Sequence, residues 1–284
     1  MENIAKQTKE LCHLYDISPS RSKGQNFLIN EGIYRAIIEA AHIKAEDTVL
    51  EVGPGLGFLT AKLSELAKRV VAVELDDKLA QILELAISAQ EVENVEIVNQ
   101  DILRFNPGEY FKAGEDYKVV ANLPYNITSV FLRTFLSSLY PPQSLVLMLQ
   151  KEVAERIITK EPDMTLLSLS IAYYGRAEII RTVPSSDFWP APAVDSAIIR
   201  IVCEREKPSQ ASLIADKNFF RLARVGFSAK RKMLKNNLMA GLKIEADKID
   251  QVFVETGLDK KVRAENLSLK DWQNLVAAMS NFVL

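Results

Sequence analysis

Residues 49–57 read VLEVGPGLG, a β-branched and leucine run that meets an acid at Glu51 before three glycines at alternate positions. The apolar run predicts a buried parallel strand bounded by turn residues. Gly53, Gly55 and Gly57 then let the backbone turn sharply and approach a ligand where a Cβ would clash. Residues 58–68 continue with apolar side chains at helical spacing, so the unit is strand, glycine loop, helix. In open α/β sheets a nucleotide-like ligand sits at the carboxyl end of such a first strand. A dinucleotide fingerprint would put its third glycine at position 58, where Phe58 stands instead. The following strand, RVVAVEL at 69–75, ends around Glu74, an acid placed to take two ribose hydroxyls. This glycine spacing with an acid closing the second strand suits S-adenosylmethionine better than NAD. A plain glycine turn that packs a helix onto a sheet would read the same way at this point.

Composition sets outer bounds. At 284 residues the chain can hold one large domain and a small one. No apolar run reaches the roughly 18 residues of a membrane span, and the first 16 residues, MENIAKQTKELCHLYD, lack the apolar centre of a signal peptide. Cys12 and Cys203 lie far apart without a C-x-x-C, which argues against a disulfide framework or structural zinc and fits a reducing cytoplasm. The two histidines, His13 and His42, stand beside no candidate nucleophile or second ligand, so neither a His base nor a metal is expected. Net charge is −2, but residues 207–284 hold 14 Lys and Arg against 8 Asp and Glu. The C-terminal end is the basic end.

Along the chain, residues 1–20 read as a loosely held arm with one short amphipathic stretch and a turn at 18–20. Residues 21–30, RSKGQNFLIN, precede a helix from about Glu31. Asn30 can cap that helix, the amides of Gln25 and Asn26 can donate and accept, and Phe27 and Leu28 can cover an adenosine. Local physics does not choose between the cap and the ligand. A third strand at 95–99 is followed by Asp101, on the same sheet edge as the glycine loop and Glu74. Its carboxylate can accept from an adenine amine or serve as an ordinary cap. The fourth strand, 118–122, runs directly into Asn122-Leu123-Pro124-Tyr125. Asn122 offers a side-chain acceptor, Pro124 holds Leu123 extended so that a carbonyl can face outward, and Tyr125 offers a flat ring. Two acceptors beside an aromatic plate suit the exocyclic amine of a base stacked on that plate.

A fifth strand at 144–150 and two final strands at 177–183 and 196–202 complete the expected sheet, with a helix pattern at 166–174. The intervening loop, SSDFWPAPAVDS at 185–196, is stiffened by prolines and is expected to expose Phe188 and Trp189, with a plain hydrophobic anchor for a long hairpin as the alternative. Beyond a linker at 207–209 the pattern is wholly helical, over about 217–225, 230–238, 248–256 and 269–279. Residues 217–243 carry eight cations and no acid. Arg221, Arg224, Lys230, Arg231, Lys232 and Lys235 are the expected phosphate contacts among them.

Taken in order, GQNFL at 24–28, EVGPGLG at 51–57, VELD at 73–76, QDIL at 100–103 and NLPYNI at 122–127 resemble the motifs of the KsgA-type rRNA adenine N6-dimethyltransferases. So do LQKEVAERI at 149–157, F-x-P-x-P-x-VDS at 188–196, FSAKRKMLKNNL at 227–238 and RAENLS at 263–268. The resemblance covers essentially everything after residue 20. It implies a class I S-adenosylmethionine-dependent methyltransferase: a Rossmann-like α/β domain with a mostly parallel seven-stranded sheet over 21–206, and a small all-helical RNA-binding domain over 207–284. The cofactor contacts it implies are Asn26, Leu28, Gly53, Gly55, Glu74, Asp101 and Asn122. Asn122 with the Leu123–Pro124 backbone would hold the target amine, and Tyr125 and Phe188 would sandwich the adenine.

The implied reaction is dimethylation of two adjacent adenosines near the 3′ end of small-subunit rRNA in a ribosomal particle, by a cytoplasmic monomer without a metal. Three rivals stand beside it: a large-subunit rRNA methyltransferase of the antibiotic-resistance branch, usually marked by NIPY where this chain has NLPY, a non-catalytic ribosome-assembly factor, and an NAD-dependent oxidoreductase.

Overall fold

The computed structural model describes residues 4–19, 25–112, 114–124, 127–204 and 209–283. Tyr125 and the basic residues at 21 and 23 lie outside the described residues. Two compact units form, one from Met1–Ala154 with Ala177–Glu204, the other from Glu155–Arg176 with Arg205–Leu284.

The first unit contains α1 (Ile4–Leu14), β1 (Phe27–Leu28), α2 (Glu31–Ala41), β2 (Thr48–Val52), α3 (Phe58–Ser64), β3 (Arg69–Glu74), α4 (Asp77–Ala89), β4 (Val95–Asn99), α5 (Pro107–Tyr110), β5 (Tyr117–Asn122), α6 (Thr128–Leu136) and β6 (Ser144–Gln150). Next in the chain come α7 (Lys151–Ile158), α8 (Leu166–Tyr174), β7 (Gly175–Val183), β8 (Phe188–Trp189) and β9 (Ser196–Cys203). One sheet of seven strands runs in the order β4-β3-β2-β5-β6-β9-β7. Strands β2 to β6 pair in parallel, and β9 lies antiparallel against β6.

All five residues of β2 are buried, which requires both faces of the sheet to be covered. Ile33 and Ile37 of α2 and Leu59 and Leu63 of α3 share one core with Val49, Val70, Val120 and Val146 of the strands. On α4, Leu83 and Ile87 pack with Ala72 of β3. Side-chain caps place the helix starts. Asn30 Oδ1 accepts from the Gly32 amide at 2.8 Å ahead of α2, and Asp76 accepts from the Lys78 and Leu79 amides ahead of α4. The strand-to-helix order and the strand ends agree with the sequence patterns to within a residue or two.

Two expectations for this unit are corrected. The arm expected to be loose forms α1, with Thr8 and Cys12 buried and Ile4 packed on the central core. Phe188, expected on an exposed loop, is only 3% exposed. A two-residue antiparallel bridge sets Phe27 opposite Trp189 and Leu28 opposite Phe188. The Ile29 amide donates to the Asp187 carbonyl and Asn30 Nδ2 to Asp187 Oδ1, both at 2.8 Å. With this staple in place, Phe188 belongs to the same core as α2 and the central strands.

The second unit consists of α8 with α9 (Gln210–Gly226), α10 (Leu234–Leu242), α11 (Ala246–Glu255) and α12 (Leu269–Val283). Capping boxes at Thr165–Ser168 and Ser209–Ser212 start α8 and α9. Phe219, Leu222, Leu234, Leu238, Phe253 and the fully buried Trp272 form its core, joined by Met164 and Leu169. Residues 155–176 were expected within the sheet domain, and this grouping is the correction. Tyr173 donates to the buried Asp216 at 2.9 Å and Tyr174 at 3.3 Å, which ties α8 to α9. No described helix is long and apolar enough to cross a membrane.

Candidate active site

At the carboxyl ends of the parallel strands lies a cavity of about 370 Å³, inside the range typical of cofactor sites. The glycine loop between β2 and α3 forms one wall, and Gly53, Gly55 and Gly57 all take positive φ. At Gly57 only glycine fits: φ is +82°, and a Cβ would come within 2.6 Å of Leu83 Cδ1. The missing side chain leaves room for Leu83 of α4 beside the loop.

Glu74 ends β3 and is mostly buried. Its Oε2 accepts from the Gly55 amide at 3.1 Å and its Oε1 from the Asp76 amide at 2.9 Å. Burial raises its pKa despite these donors. Asp101 caps a short 3-10 turn over Ile102–Arg104 and also lines the cavity. Leu75, Ile102 and Leu103 add an apolar lining beside it.

On the β5 side, Asn122 Nδ2 donates to the Asn26 carbonyl at 3.4 Å, which leaves Oδ1 as the acceptor. The Leu123 amide donates to the Met148 carbonyl at 3.3 Å and its side chain is 1% exposed, and Leu123 is not itself among the lining residues. Pro124, Ile127 and Met148 line the wall around Asn122.

The structure thus brings together Asn26, Leu28, Gly53, Gly55, Glu74, Asp101, Asn122 and Pro124 around one cavity. Phe188 is not among the lining residues; its backbone instead holds Leu28, which is. Tyr34, Asp76 and Met148 also line the site, unforeseen from the sequence, and so does Glu51, the acid within the glycine motif. Among the described residues the charged ones of the lining are Glu51, Glu74, Asp76 and Asp101, with no Lys, Arg or His. A pyrophosphate would meet only like charge there. A sulfonium with an α-amine, carried on an adenosine, would meet carboxylates and an apolar lining there. The residues present therefore fit S-adenosylmethionine and do not fit NAD. Among the described residues no group of three His, Cys, Asp or Glu could hold a metal ion.

The cations expected to contact phosphate divide in the second unit. Lys217, Arg221 and Arg224 follow helical spacing along α9 and are exposed, as are Lys230, Arg231 and Lys232 in the turn before α10. Lys235 is corrected: its Nζ donates to Asp250 at 2.5 Å, Asp250 also accepts from Lys260 at 3.1 Å, and the Lys235 side chain is 19% exposed. It holds α10 to α11. These two cations keep the Asp250 carboxyl below the usual carboxylate range.

The family model for ribosomal RNA adenine dimethylase matches residues 19–281. Ribosomal RNA small subunit methyltransferase A of Dehalococcoides mccartyi is 42% identical, over 96% of this chain and 92% of that protein. The protein of the same name from Bacillus mycoides is 38% identical, over 98% of each. Among solved structures, a dimethyladenosine transferase from Plasmodium falciparum superposes with a TM-score of 0.74 at 26% identity, over 90% of this chain and 98% of that one. The 23S rRNA methyltransferase ErmE shares the fold, with a TM-score of 0.68 at 24% identity, over 90% of this chain and all of that one. An acid-lined cofactor cavity, an Asn-Leu-Pro turn at the end of β5 and a family match over nearly the whole length agree, and the chain belongs to the ribosomal RNA adenine dimethylase family.

Proposed function

We propose that the chain dimethylates the exocyclic amines of two adjacent adenosines near the 3′ end of small-subunit rRNA, acting on a ribosomal particle. The observation that carries this reading is the placement of the Asn122–Pro124 turn against a cavity whose charged lining is entirely acidic. Relatives named for the small subunit, at 38–42% identity, favour that RNA over the large-subunit alternative.

S-adenosylmethionine supplies an already activated methyl group when bound. Glu74 takes the ribose hydroxyls, and Asp101 takes the adenine amine. Gly53 and Gly55 let the backbone close on the cofactor, while Asn26 and Leu28 cover it from the β1 side. On the acceptor side, Asn122 Oδ1 and the Leu123 carbonyl hold the two hydrogens of the target amine, which favours a pyramidal nitrogen with its lone pair free. Tyr125 stacks on the base, whose adenosine must be unpaired or drawn out of its stack. Alignment and exclusion of water do the work. The amine becomes strongly acidic only as its new bond forms, so its proton can leave late to solvent. No strong base and no metal is needed.

The exposed cations at 217, 221, 224, 230, 231 and 232 serve as phosphate contacts in this reading. The protein acts in the cytoplasm as a monomer. Labelled methyl transfer with nucleoside mass analysis tests the reading on unmethylated small subunits beside naked large-subunit rRNA. Dimethyladenosine on the small subunit alone is expected. Product on the large-subunit RNA overturns the substrate, and tight particle binding without product makes the chain an assembly factor.

A further inference from the structure

Among the ionisable groups of the cavity that the proposed reaction does not use, Glu51 is the most deeply buried acid. Glu51 lines the site from β2 yet is 1% exposed, and its Oε2 has no hydrogen-bond partner. An unpartnered carboxylate oxygen in an enclosed site is costly unless the group is neutral or a cation arrives. We propose that Glu51 is the charge-reading group of the cofactor site, giving up its proton to solvent when cationic S-adenosylmethionine enters and taking one back when the site empties.

The surroundings favour the neutral carboxyl before binding. Burial is the largest influence and pushes the Glu51 pKa up to about 8. From β3, the Glu74 charge acts in the same direction, and from α3 the Thr60 hydroxyl opposes it. From α2, Tyr34 faces the group, with its hydroxyl donating to the Leu28 carbonyl at 3.0 Å and its own pKa raised by burial and by Glu51 and Glu31. From β5, the residue in register is Val120, which carries no charge. The other lining charges, Asp76 and Asp101, are also acidic. Among the described residues no cation lines this site, and a cationic ligand that enters it stabilises the ionised form of Glu51. By linkage, cofactor affinity then rises with pH until the free carboxyl would ionise unaided.

The proposal rests on the cofactor reading, and calorimetry with the full chain and S-adenosylmethionine separates the two. Titrations at about pH 7 in two buffers of different ionisation heat count the protons released on binding. Roughly one proton per bound cofactor is expected for the wild type and about none for Glu51→Gln. From about pH 6 to 7.5 the wild-type Kd is expected to tighten several-fold more than that of Glu51→Gln. The cofactor's own α-amine, which titrates near about 7.7–8.0, affects both proteins alike. S-adenosylhomocysteine, which lacks the sulfonium charge, is expected to release fewer protons. Equal proton counts for the two proteins overturn the assignment. Should Glu51→Gln not fold, wild-type binding without proton release overturns it by itself. An absence of cofactor binding by the wild type instead overturns the cofactor reading beneath it.

Discussion

A Glu74→Gln substitution exchanges one oxygen for an NH₂ group and separates two quantities that usually fall together. In the free protein, Glu74 accepts from the Gly55 and Asp76 amides through different oxygens, at 3.1 and 2.9 Å. Gln has a single acceptor oxygen, so one amide loses its partner, at a cost of about 1.5–3 kcal/mol for a hydrogen bond to a charged group. Against this, the neutral side chain no longer carries the desolvation of a buried charge. The raised pKa shows that desolvation outweighs the donors, so the two effects oppose each other in the folded chain. The free variant is therefore expected to unfold within about 1 kcal/mol of wild type. Cofactor binding has no such compensation. Hydrogen bonds from ribose hydroxyls to a carboxylate, at about 1.5–3 kcal/mol, correspond to a Kd weakened roughly 10–150-fold. Denaturant unfolding and calorimetric titration with S-adenosylmethionine measure both on one preparation. A variant that keeps its fold and binds within about twofold of wild type would refute Glu74 as the ribose acceptor.

Phe188→Ala should destabilise the free chain by about 3–5 kcal/mol in denaturant unfolding, because a buried ring is lost; a change under about 0.5 kcal/mol would mean the ring is exposed, as the loop sequence alone suggested. Arg231→Glu with Lys232→Glu should weaken binding to small subunits and flatten its salt dependence, whereas Lys235→Ala should lower thermal stability and leave that slope unchanged. For Glu51, a folded pKa of about 8 above the ordinary 4.5 means the native state holds the proton more tightly than the unfolded chain. Its contribution to stability is full below the unfolded value and falls by up to about 1.4 kcal/mol per pH unit as pH rises toward the folded one. Thermal melts of wild type and Glu51→Gln across that window should converge in acid and diverge in base, and parallel curves would count against it. Asn122→Asp keeps an acceptor but sets an oxygen against the Asn26 carbonyl, so methyl transfer should fall by roughly tenfold or more, with cofactor Kd changed far less. Single-turnover rates near wild type would show that the amide's orientation is irrelevant.

The parallel sheet and most of the cavity were legible because their signals are local. Five buried β2 positions, glycines at positive φ and an acid ending β3 lie within 27 residues, from position 48 to 74. Asn122 was legible because a strand pattern ran straight into a proline-restricted turn. Phe188 was misplaced because its burial depends on a two-residue bridge to a segment 160 positions earlier in the chain, Leu28. No periodicity announces so short a pairing. Residues 155–176 read as one more helix after a strand, and the burial of Met164 and Leu169 with the Tyr173–Asp216 and Tyr174–Asp216 bonds reveals which core they join. Lys235 counted as a surface cation because its partner Asp250 lies on the next helix, beyond the acid-free run. Glu51 was visible as a motif acid from the outset, but its unpartnered oxygen is a property of the packed neighbours.

A net charge of −2 looks unremarkable for a protein that handles a polyanion, and it misleads because it averages two opposite fields. Among the described residues the first unit sets four acids and no cation around its cavity, and the second exposes cations along α9 and the turn after it. At physiological ionic strength each field decays over about 8 Å, so a ligand responds to the charges it touches and not to the total. An acidic cavity suits a cationic donor, and a basic helical surface suits phosphate. Had the two sets been mixed, basic side chains near the cavity would repel the donor and acidic ones on the helices would repel RNA. Segregation, not overall charge, is the electrostatic requirement of a reaction that brings a cation and a polyanion to one enzyme.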